Sequence, residues 1–138
     1  MKRICAQEFA LEVQGRKTSA GLGFGESGSE VVLGMSDQND KCRVLLGLNK
    51  AGESGLWLGD QNGRIRTGLS STEAGQGLVL RDQNGEARIV LKVTEAGTPK
   101  LVLHDQNGKT RAELSMDESG AAGLTLFDPD GKVVWQAP

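Results

Sequence analysis

The chain has 138 residues, a formal net charge of −2, 20 glycines and no tyrosine, which fits one domain. The charge argues against a nucleic-acid binder, whose footprint is basic, and no apolar run reaches the roughly 18 residues that a membrane-spanning helix needs. The charged start, Met1 to Glu8, has no apolar stretch behind it, so no signal peptide is expected and the cytoplasm is the default location. Assembly into a virion or a surface structure is not excluded by such a sequence.

The first element is degenerate. Between about residues 5 and 32, Phe9, Leu11 and Val13, then Thr18, Ala20, Leu22 and Phe24, alternate as two short strands, with Gln14-Gly15 near their turn. From residue 33 to 138 the pattern becomes regular. Asp-Gln-Asn-Gly recurs at Asp60, Asp82 and Asp105, with variants at Asp37-Gln38-Asn39-Asp40 and Asp128-Pro129-Asp130-Gly131. The leading aspartates step by 23, 22, 23 and 23 residues, and a fixed period of this size marks a stacked or arrayed architecture.

Each unit reads as a hairpin. Asn-Gly between alternating apolar runs is a strong signal for a two-residue type I′ turn. With Asn84-Gly85 as that loop, Leu80 faces Ile89 and Leu78 faces Leu91, so the apolar residues share one face. The same register pairs Met35 with Val44, Leu33 with Leu46, Leu58 with Thr67, Leu56 with Leu69, Leu103 with Ala112, Leu101 with Leu114 and Leu126 with Trp135. Longer connections run from Asn49, Thr72, Thr94 and Asp117, with Glu73, Glu95 and Glu118 recurring in them. The expectation is a single all-β domain over 1–138 built of about six hairpins.

Meander and solenoid share this signature. Arg43, Arg66, Arg88 and Arg111 occupy one repeat position; stacking them one strand apart, roughly 4.8 Å, sets like charges side by side. A meander doubles that spacing and is preferred, with the solenoid as the alternative. A one-sided leucine face must close on itself or pack against other chains. Closure of about twelve strands into a barrel leaves a lumen for an apolar ligand.

The outward face is not uniformly polar either. Leu45, Trp57, Val79, Val90 and Val102 lie there, Trp57 opposite Gly68, as an aromatic covering exposed glycine backbone. Trp57, Val79, Val90 and Val102 with Arg43, Arg66, Arg88 and Arg111 form a candidate interaction face, for a protein or for an acidic glycan.

No catalytic constellation emerges. His104 is the only histidine; Ser36, Ser70, Ser115 and Ser119 lack a base and a nucleophile elbow. The Asp-x-x-Gly turns offer too few oxygens for calcium. Cys5 and Cys42 have no metal or redox spacing, and Cys42 reads as a small buried apolar residue. No enzyme, cofactor or metal is expected.

The pattern Leu-x-Leu-x-Asp-x-x-Gly-Lys/Arg, closing in Asp128 to Trp135, resembles that of short uncharacterised bacterial β-repeat proteins from about Leu33 to Pro138. That resemblance carries no functional residue, and the first unit departs from it. In broad design the chain is similar to trimeric β-repeat shafts of phage fibres and adhesins, an analogy of fold alone. Three functions are therefore weighed: a self-associating scaffold, with a homotrimer favoured; a closed barrel holding an apolar ligand; and an adhesion module binding glycan or protein through its outer face.

Overall fold

A computed structural model describes residues 8–12, 18–24 and 30–138. These hold twelve strands and no helix, hence no helix long and apolar enough to cross a membrane. The chain divides into two compact units, Met1–Ile65 and Arg66–Pro138. The first holds β1 (Glu8–Glu12), β2 (Ser19–Phe24), β3 (Val31–Ser36), β4 (Cys42–Leu48) and β5 (Ser54–Gly59). The second holds β7 (Gly75–Arg81), β8 (Ala87–Thr94), β9 (Pro99–His104), β10 (Thr110–Met116), β11 (Ala122–Phe127), β12 (Val133–Ala137) and all but the first residue of β6 (Ile65–Thr72).

Within each unit successive strands pair antiparallel. This is the meander, not a solenoid. Neither unit closes: β1 does not pair with β5, nor β6 with β12, so neither encloses the lumen that the barrel reading requires. In the degenerate first unit Phe9 faces Leu22 and Leu11 faces Ala20. Its expected turn at Gln14-Gly15, Val13 and Cys5 lie outside the described residues.

The register is the one the hydrophobic pattern demands. Leu80 pairs with Ile89 and Leu78 with Leu91; Met35 pairs with Val44, Leu103 with Ala112 and Leu126 with Trp135. The turn that delivers it is different. Asp82 N–H donates to the Glu86 carbonyl at 2.9 Å, and Gly85 N–H donates to the Asp82 carbonyl at 3.0 Å. The loop is therefore three residues long, a type I turn closed by Gly85 at φ 88° in the left-handed region. Asn84 has no positive φ, which a type I′ turn would require.

A three-residue loop alone would put Leu80 opposite Arg88 and scramble the face. A second irregularity prevents this. Arg81 lies opposite Ala87, yet Leu80 lies opposite Ile89, so one extra residue enters β8 at Arg88. The same step occurs at Arg43, Arg111 and Val134. Two offsets cancel, and the tight-turn register returns without the tight turn. At the other end of the strands the three-residue turns from Asn49, Thr94 and Asp117 feed unbroken ladders.

Candidate interaction faces

The bulges explain the arginine column. A β-bulge re-aims a side chain, and here it turns Arg43, Arg88 and Arg111 each toward the aspartate that caps its own turn. Arg43 Nη1 reaches Asp37 at 3.2 Å while its Nε donates to the Gly59 carbonyl at 3.0 Å. Arg88 holds Asp82, with Nε donating at 2.7 Å, and also donates to the Asp105 and Gln106 carbonyls. Arg111 pairs with Asp105 and donates to the Asp128 carbonyl. Arg66 Nε donates to the Arg81 carbonyl at 3.0 Å. Each clasp ties one turn to the next along the strand ends.

Asp82, Asp105 and Asp117 are held as carboxylates. At Asp82, desolvation pushes the pKa up. The hydrogen bond from Arg88 and the N–H groups of Asn84 and Glu86 outweigh it and leave the carboxyl below the ordinary value. Asp105 stands the same way, desolvation opposed by the N–H groups of Lys109 and Asn107 and by Arg111. Asp117 is lowered by the Ser119 hydroxyl and the Ala121 N–H.

Between the clasps, the outer face covers itself. Val79 faces Val90, Val90 faces Val102, and Val102 faces Glu113. Lys100 lies along this stripe and pairs with Glu113 at 3.0 Å, a contact that is the main cause of the lowered Glu113 pKa. Long charged side chains cover apolar surface with their stems, and Val102 is only 8% exposed. Trp57 is half-buried and its indole lies over Gly55, where a Cβ would collide with it. The predicted interaction residues are thus a valine stripe roofed by its neighbours and arginines committed to turns of their own chain. That arrangement stiffens a single-layer sheet.

The leucine face is the uncovered one. Leu69 is 52% exposed, Leu91 49%, Leu114 47% and Trp135 49%. In the first unit Phe9, Leu22, Leu46 and Leu48 are likewise exposed. Leu91, Leu101, Leu114 and Met116 line a groove of about 230 Å³ that opens to solvent. No charged residue interrupts this face between the turns of β7 to β12.

Among the described residues no group of three or more His, Cys, Asp or Glu is placed to hold a metal. His104 Nδ1 lies 3.5 Å from the Thr110 hydroxyl. Cys42 is half-buried, its thiol donating to the Val44 carbonyl at 3.6 Å; Cys5 lies outside the described residues. No protein-family model matches the chain, and no curated protein is similar to it.

Proposed function

We propose that the chain is a non-enzymatic structural or assembly protein, a β-repeat scaffold that self-associates through its leucine face. One observation carries this reading: on a face that no charged residue interrupts from β7 to β12, Leu69, Leu91 and Leu114 stand about half exposed, while on the opposite face Val102 is buried and Val79 and Val90 are partly covered. Burying a leucine fully stabilises by roughly 1.5–3 kcal/mol, so a row of them left wet is a strong drive to association. A homotrimer is the assembly the repeat design favours, and a two-chain sandwich covers the same face.

Paired substitutions test which face is used. Leu91→Lys with Leu114→Lys should release monomers in light scattering, with the far-ultraviolet strand signal retained, because neither side chain is buried within its own chain. Thr125→Lys, in register with Glu113 on the other face, should leave the assembly at its wild-type mass. A leucine variant that keeps the wild-type mass would refute this assignment of the interface.

A further inference from the structure

The two ends of the strands in the second unit differ in charge, and the difference sets how copies meet. The turns β6–β7, β8–β9 and β10–β11 lie at one end and carry Glu73, Glu95 and Glu118. The turns β7–β8, β9–β10 and β11–β12 lie at the other and carry the lysines Lys109 and Lys132, with Glu86 and Asp130 as exposed carboxylates beside them, so this end is mixed in charge where the first is a row of glutamates. The three glutamates Glu73, Glu95 and Glu118 and the two lysines are all exposed, and none of them is in an ion pair among the described residues. By contrast, Arg88 with Asp82 and Arg111 with Asp105 at the lysine end neutralise one another.

Building on self-association through the leucine face, we propose that copies join with their ends exchanged. The glutamate turns of one chain lie against the lysine turns of the next, about an axis running across the strands. Such an axis sets each strand against its own counterpart, in a two-chain sandwich and a three-chain prism alike. Glu95 then stands one strand, about 4.8 Å, from the layer of the partner chain's Lys109, and Glu118 has the same offset from the partner chain's Lys132. An axis along the strands brings like ends together and sets a row of glutamates against itself, which is repulsive.

Size follows the same rule. Along the leucine face of β12, Trp135 lies toward the lysine end and Ala137 toward the glutamate end. In β10 the order is Ala112, then Leu114 and Met116; in β6 it is Thr67, then Leu69. Exchanging the ends sets large against small within each of these strands, the interdigitation that fills a core.

Cross-linking and charge reversal test the arrangement in the full chain with both native cysteines changed to serine. Chains carrying Glu118→Cys, mixed with chains carrying Lys132→Cys, should give mixed disulfide dimers on mild oxidation, and Glu118→Cys alone should give none. Glu95→Lys with Glu118→Lys should weaken association about tenfold, and adding Lys109→Glu with Lys132→Glu to the same chain should restore it. Like-end disulfides, or no restoration, in a chain whose wild type still assembles overturn the end-exchanged geometry alone. A monomeric wild type overturns the self-association reading, and this inference with it.

Discussion

Asp82 does more than its place in a short polar loop implies. Its Oδ1 accepts the N–H groups of Asn84 at 2.8 Å and Glu86 at 3.1 Å, a side-chain imitation of a backbone turn. The same pair of bonds recurs at Asp37, Asn49, Asp60, Asp105, Asp117 and Asp128. The type I turn was readable in Asp128-Pro129-Asp130-Gly131, where proline follows the leading aspartate at the position such a turn favours. Gly85 needs only its positive φ, with open space around a Cβ, so Gly85→Ala should cost about 1–2 kcal/mol. Gly75, at φ 118°, has the Val93 carbonyl oxygen where a Cβ would go. Gly75→Ala should therefore cost about 3 kcal/mol or more. Urea denaturation of the two variants measures the difference, and equal losses would contradict it.

At the scale of the hairpin, the bulge and the arginine form one device. The alternation of Leu78 and Leu80 with Ile89 and Leu91 was enough to read the register, because a one-residue slip would invert the faces. It was not enough to read the route, since two offsets that cancel leave no trace in the pattern. Nor did the spacing of Arg43, Arg66, Arg88 and Arg111 reveal that Arg43, Arg88 and Arg111 face aspartates of their own turns. Only the six-residue step from Asp82 to Arg88 and from Asp105 to Arg111 hinted at it. Arg88→Ala should cost about 1–2 kcal/mol, more than an ordinary surface pair, because it also releases turn carbonyls.

The acid response follows from the same clasps. Asp82 and Asp105 have folded pKa values below the ordinary aspartate value of about 3.9. Their contribution is fully present above that value and is lost as pH falls through the lower folded values. Melting temperature should hold steady from about pH 7 to 5 and decline below about pH 4. Asp82→Asn with Asp105→Asn should flatten that decline; an unchanged acid limb in the double variant would remove the clasps from the account.

For the whole molecule, the 22- and 23-residue steps sufficed to read an all-β array, and composition sufficed to set aside a helix across a membrane. In the proposed assembly the surface that covers the leucines belongs to another chain, so it is not written in one. The sheet offers the same reading at each strand: Leu69, Leu91 and Leu114 lie wet, Val102 dry, and a single layer cannot bury both sides of itself. Sedimentation equilibrium across micromolar concentrations weighs this most directly. The account predicts a particle of two or three times 14.6 kDa, three for the favoured trimer. A folded species that stays at 14.6 kDa at every concentration would contradict it.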